Sequence, residues 1–121
     1  MAKILLVEDQ ASMRSLFSQL LQAKGHTVVL AEDGEEAWDI CTTEKENFDL
    51  VLTDVNMPRL DGYEFLKRTR QHFPGVKVIL ITGANEEAAA VICQEYKADG
   101  LITKPFVVEE AISLIEKVLQ P

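Results

Sequence analysis

Cysteine is scarce in this chain. Cys41 and Cys93 stand far apart, in neither a zinc-binding nor a redox spacing. They read as two reduced core thiols, which fits a reducing cytoplasm. Positive charge is also short: Lys+Arg 12 stand against Asp+Glu 20, a net charge of −8 at pH 7. Such a surface repels phosphate backbones, so nucleic acid is not an expected partner. No apolar run approaches the ~20 residues that span a bilayer, so no membrane partner is expected either. The first residues carry a strand pattern rather than a leader peptide. Repeats, low-complexity tracts and linkers are lacking. What remains is 121 residues, 47% hydrophobic, enough for one compact domain over 1–121.

Short apolar runs alternate with longer amphipathic ones. The short runs are Lys3–Val7, Thr27–Ala31, Asp49–Thr53, Val76–Ile81 and Leu101–Thr103. Each is rich in Val, Ile or Leu and nearly free of polar alternation, as in strands covered on both faces. Between them, Met13, Leu16, Phe17, Leu20 and Leu21 form one helical stripe, and Gly25 offers its C-terminal stop. Asp33 with Glu36, and Asp61 with Glu64, have capping-box spacing for a second and a third helix. The second carries Ala37, Ile40 and Cys41 inward. Asn85 can cap a fourth, with Glu86 and Glu87 in its first turn and Ala88, Val91 and Ile92 as its inner face. Val108, Ile112, Ile115 and Leu119 mark a fifth. Five strand–helix units with right-handed crossovers give an α/β fold, a (βα)5 five-stranded parallel sheet with helices on both faces. Its expected strand order is 2-1-3-4-5, the flavodoxin-like order, with ligands at the switch point between strands 1 and 3.

The strand ends carry the chemistry. The first strand is expected to end in Glu8-Asp9, the third in Asp54, the fourth in Thr82 and the fifth in Lys104, followed by Pro105. Three carboxylates therefore converge at the switch point. Two like charges at 4 Å repel by about 4 kcal/mol at an effective dielectric of 20, so something positive must compensate. Lys104 is one candidate and Mg²⁺ the other, since an all-oxygen site with few protein ligands suits that ion. Asp54 is a potential nucleophile toward a phosphoryl group, with an aspartyl phosphate as product. Metal and lysine would stabilise the group in transfer, and Thr82 could hydrogen-bond one of its oxygens.

These segments resemble the response-regulator receiver family of two-component signalling. The matches are Ile4-Leu5-Leu6-Val7-Glu8-Asp9, Asp54-Val55-Asn56-Met57-Pro58-Arg59-Leu60-Asp61-Gly62, Thr82-Gly83 and Lys104-Pro105-Phe106. The resemblance implies that Asp54 accepts phosphoryl from the phosphohistidine of a histidine kinase or histidine phosphotransfer protein. It implies Mg²⁺ on Asp9, Asp54 and the backbone carbonyl of Asn56, with Glu8 acting through a metal-bound water. Lys104 contacts the phosphoryl group, aimed by a Lys104–Pro105 bond that is often cis in the family. Thr82 turns toward it and shifts the face formed by helix 4, strand 5 and helix 5, which regulates a protein target. Two departures stand out. Glu8-Asp9 replaces an aspartate pair, and Leu101 stands where many members carry the Tyr or Phe that swings inward with the threonine.

A phosphatase of the haloacid-dehalogenase type needs an acid two residues after its nucleophile; here that residue is Asn56, which cannot exchange a proton. The phosphoaspartate should then persist for a finite time, and the chain is expected to be a signalling domain rather than an enzyme. A flavodoxin would need a hydroxyl-rich loop after strand 1, where this chain has Glu8-Asp9-Gln10-Ala11-Ser12. A receiver that binds partners without phosphorylation is disfavoured by the complete acidic site. Trp38 reads as a packing residue, His26 and His72 as exposed, and Glu109, Glu110 and Glu116 as a solvated face. With only Lys117 beside those glutamates, two such faces repel, so a monomer is expected. With nothing after helix 5, two expectations stay open: output through protein contact alone, or a chain cut from a longer regulator.

Overall fold

The five apolar runs lie side by side in one parallel sheet. In chain order the elements are β1 (Lys3–Val7), α1 (Ala11–Ala23), β2 (Thr27–Ala31), α2 (Gly34–Thr43), β3 (Leu50–Asp54), α3 (Gly62–His72), β4 (Lys77–Thr82), α4 (Glu86–Glu95), β5 (Gly100–Thr103) and α5 (Val108–Leu119). The strand order is β2-β1-β3-β4-β5, the flavodoxin-like arrangement expected from the alternation. This computed structural model describes residues 1–43, 48–55, 62–83 and 86–120. Asn56, Asp61 and Asn85, with the two caps and the ligand assigned to them, lie outside that set.

Both faces of the sheet are covered, which is why the strands lack polar alternation. Ile4 and Leu6 of β1 join Phe17, Leu21, Ile112 and Ile115 under α1 and α5. Leu5 and Val7 point the other way, into Ala37, Cys41, Phe65 and Leu66 under α2 and α3. Each fully buried side chain of this size contributes about 1.5–3 kcal/mol. On α1, Phe17 and Leu21 are buried, Met13 and Leu20 pack at the margin, and Leu16 is 39% exposed. Gly25 ends α1 as expected: with φ of +92° it lets its own N–H reach the Gln22 carbonyl and that of His26 reach Leu21, a Schellman closure. The Asp33 cap is formed as well, Oδ1 accepting the Glu36 N–H at 2.8 Å.

Three expectations need correction. The inner face assigned to α4 is wrong at two of its three positions: Val91 is 62% exposed and Ala88 is exposed too, while Ile92 lies outside the described side chains. Among the described side chains of α4, only Cys93 is not exposed. The run Ala88–Cys93 is apolar nearly all round, so periodicity could not choose its buried side. His26 is not exposed either. Its side chain is 7% accessible, accepts the Ala2 N–H on Nδ1 at 3.0 Å and lies 3.1 Å from Glu116 Oε1 through Nε2. Glu116, its side chain still 39% exposed, adds to its place on the solvated face a hydrogen bond that ties α5 to the chain start. Finally, β1 and β5 stop at Val7 and Thr103, short of Glu8 and Lys104, whereas β3 and β4 end in Asp54 and Thr82 as expected, one residue beyond their apolar stretches. The backbone ladder continues where hydrophobicity stops.

The turn after α4 was not foreseen. Lys97 takes a φ of +57°, a glycine-like conformation that costs a side-chain-bearing residue about 1–2 kcal/mol. Arg70 of α3 holds it there, donating to the carbonyls of Lys97 at 2.7 Å and Val76 at 2.8 Å and to Asp99 Oδ2 at 3.1 Å. The same Asp99 oxygen accepts the Val78 N–H at 2.8 Å, so the entries of β4 and β5 are locked together.

Candidate functional site

The parallel register brings the polar strand ends to one edge. Val7 is level with Thr53, Asp54 with Ile81, and Thr82 with Thr103. One step on, the Lys104 N–H donates to the Thr82 carbonyl at 2.7 Å. Glu8, Asp9, Asp54, Thr82 and Lys104 are thereby gathered at the carboxyl edge, beside the β1–β3 switch point. The Lys104–Pro105 peptide is cis.

Glu8, Asp9 and Asp54 each offer an oxygen within 4.8 Å of the other two. Glu8 is 0% and Asp54 2% exposed, whereas Asp9 is exposed and opens the cluster to solvent. Thr82 is buried next to them in the sheet. Lys104 Nζ lies 2.7 Å from Asp54 Oδ2 and 3.5 Å from Glu8 Oε1. One ammonium thus faces two carboxylates of a cluster of three. Burial, then the charge and hydrogen bond of Asp54, push the Glu8 carboxyl up to about 7, with Lys104 opposing. Burial pulls the Lys104 ammonium down, but its hydrogen bond and ion pair with Asp54, with help from Glu8, carry it above its ordinary value.

The donor set fits a hard divalent cation. It is all oxygen, excess negative charge is concentrated on buried groups, and one carboxylate is open to water. Leu101 is half-buried and packs against the core on its α2–α3 side. Sequence reasoning missed Arg14. It is the only charged residue of α1, and its guanidinium donates to the Glu8 carbonyl at 2.8 Å. The signal available was a lone arginine in the first turn after an acidic pair.

The response regulator receiver domain profile matches residues 4–116, and the chain belongs to that family. It is a receiver domain of the two-component response regulators, signalling modules switched by phosphorylation. The alkaline phosphatase synthesis transcriptional regulatory protein PhoP of Bacillus subtilis is 37% identical over 118 residues, 98% of this chain and 48% of that protein. The transcriptional regulatory protein CpxR of Escherichia coli is 38% identical over 120 residues, 99% of this chain and 50% of that protein. The chain thus spans about half the length of these curated relatives. Among solved structures, Vibrio cholerae chemotaxis protein CheY4 superposes with a TM-score of 0.87 at 32% identity, covering 98% of both chains. The response regulator TrrA of Thermotoga maritima, in complex with Mg²⁺-BeF, gives 0.83 at 30% identity, covering 98% of this chain and 99% of its own. Among the described residues, no helix is long and apolar enough to cross a membrane.

Proposed function

We propose that residues 1–121 form a single cytoplasmic receiver domain that takes a phosphoryl group onto Asp54 from the phosphohistidine of a histidine kinase or histidine phosphotransfer protein. The observation that carries this reading is the buried Asp54 carboxylate, 2.7 Å from Lys104 and within a three-carboxylate cluster. An Asp54 oxygen attacks phosphorus, the new O–P bond forms as the P–N bond breaks, and the imidazole leaves with the electron pair. Lys104 neutralises charge on the transferring group, and the Thr82 hydroxyl hydrogen-bonds one of its oxygens. Glu8, Asp9 and Asp54, with the Asn56 carbonyl, would hold Mg²⁺, which when bound offsets charge on the phosphoryl oxygens. Asn56 cannot exchange a proton, so the phosphoaspartate has a finite lifetime, and the domain catalyses only its own phosphorylation and dephosphorylation. Calorimetry is the direct test of the metal. The wild type should bind Mg²⁺ and the double variant Asp9→Ala, Asp54→Ala should not; equal binding by both removes the basis of this reading.

The output face differs from that of relatives with an aromatic switch. Leucine changes less surface than a ring when Thr82 moves, and a rearrangement is driven only by the difference in interaction energy between its states. Arg70 also fastens Lys97 and Asp99 to α3 and β4. Adding beryllofluoride with Mg²⁺ should therefore shift amide resonances after β4 strongly and those of β5 and α5 weakly. Leu101→Tyr should enlarge the second set. Large wild-type shifts across β5 and α5, unchanged in Leu101→Tyr, would show the ring to be dispensable.

The downstream target is a protein, since a net charge of −8 disfavours nucleic acid at this domain. The domain remains a monomer when activated, because α5 presents Glu109 and Glu110 with Lys117 as its basic residue. Sedimentation of the beryllofluoride complex should give one chain; a tight dimer rules this out.

A further inference from the structure

We propose that Arg14 is a positioning residue of the acidic site, holding the Glu8–Asp9 peptide so that Glu8 and Asp9 are set for a divalent cation before it arrives. Its side chain is only 16% exposed and reaches from α1 to the residues that follow β1 and β2. Nη1 donates to the Glu8 carbonyl at 2.8 Å, and Nη2 lies 3.6 Å from Glu32 Oε1 beyond β2. A trans peptide points its C=O and N–H in opposite directions. Fixing the carbonyl of the Glu8–Asp9 peptide toward Arg14 therefore aims the opposite N–H, that of Asp9, into the site. There it donates to Glu8 Oε2 at 3.0 Å. The other oxygen of that carboxylate, Oε1, faces Lys104 Nζ at 3.5 Å. One peptide plane thus transmits the position of an arginine to a buried carboxylate and sets the direction in which Asp9 leaves β1.

Charge alone predicts the opposite behaviour, which makes the role testable. Arg14 is a cation near an acidic cluster, so by Coulomb's law its removal should tighten binding of a divalent ion. Loss of an outer partner that orients a ligand weakens binding instead, by tenfold or more in typical cases. The inference rests on the Mg²⁺ reading above. The experiment is calorimetric titration of the full chain with Mg²⁺, alongside thermal melts. Arg14→Ala is expected to weaken Mg²⁺ binding about tenfold while melting cooperatively. Arg14→Lys, which keeps a donor on a long stem, should recover part of that loss. Glu32→Gln, which removes the outer ion pair only, should bind as the wild type does. Equal or tighter binding by Arg14→Ala overturns the positioning role and leaves the metal reading intact, as does a lysine variant as weak as alanine. A wild type that binds no Mg²⁺ overturns both.

Discussion

Asp54→Asn is expected to abolish phosphoryl uptake completely while leaving a folded protein whose stability changes by no more than about 1 kcal/mol. The loss follows from chemistry: an amide oxygen is a poor nucleophile toward phosphorus, and among the described residues no other carboxylate is so placed. Glu8 is buried and engaged by the Asp9 N–H, and Asp9 is exposed at the mouth. The small effect on folding follows from opposing effects. The substitution removes the 2.7 Å ion pair with Lys104, which is a loss. It also removes a like charge from beside Glu8, whose carboxyl is pushed up to about 7 partly by Asp54. Lys104 then turns to Glu8, already 3.5 Å away. Incubation with a small phosphoryl donor and Mg²⁺, followed by intact mass measurement, should show one added phosphoryl group on the wild type and none on Asp54→Asn. A single labile phosphoryl group on the variant would mean that the acceptor is another residue.

The sheet was legible because its strands are buried on both faces, so Ile4, Leu5, Leu6 and Val7 are all apolar and announce themselves without reference to the rest of the chain. The site was legible for a related reason. In a parallel sheet, residues that follow strands must meet at one edge, so Glu8, Asp54, Thr82 and Lys104 could be brought together from order alone. What escaped depends on contacts distant in sequence or on the rotation of a helix. The partners of His26 are Ala2 and Glu116, at the two ends of the chain. Arg70 reaches Lys97 and Asp99 across the α3–β4–α4 connection. Nothing in the alternation of apolar and polar residues encodes either contact. The buried side of α4 escaped because Ala88, Val91 and Ile92 offered a stripe no stronger than its neighbours.

Metal-free wild type should become less stable as pH rises from about 4.5 to about 7, by up to roughly 3 kcal/mol, and Mg²⁺ should flatten that slope. The Glu8 carboxyl has an ordinary value of 4.5 and stands near 7 in the folded chain, chiefly because it is buried and next because Asp54 lies beside it. Below 4.5 it is protonated in both folded and unfolded chains, and no penalty for a buried charge is present. Between the two values the folded chain holds the proton more tightly, so each step upward in pH favours unfolding. Above 7 the buried carboxylate is charged and the penalty is complete, some 1.4 kcal/mol for each tenfold difference in proton affinity between the folded and unfolded chains. Lys104, raised rather than lowered, contributes stability throughout this window and loses it only at alkaline pH. A divalent cation binds the ionised cluster, so at about 100 times its dissociation constant it adds about 2.7 kcal/mol to the folded state near neutrality and much less near pH 4.5. Urea melts from pH 4.5 to 8, in EDTA and in saturating Mg²⁺, read both curves. In Asp54→Asn the EDTA slope should weaken and its midpoint move down, since one cause of the raised Glu8 value is gone. A wild type whose EDTA stability is flat or rising across this range would show that Glu8 is already ionised in the folded chain, held so by Lys104.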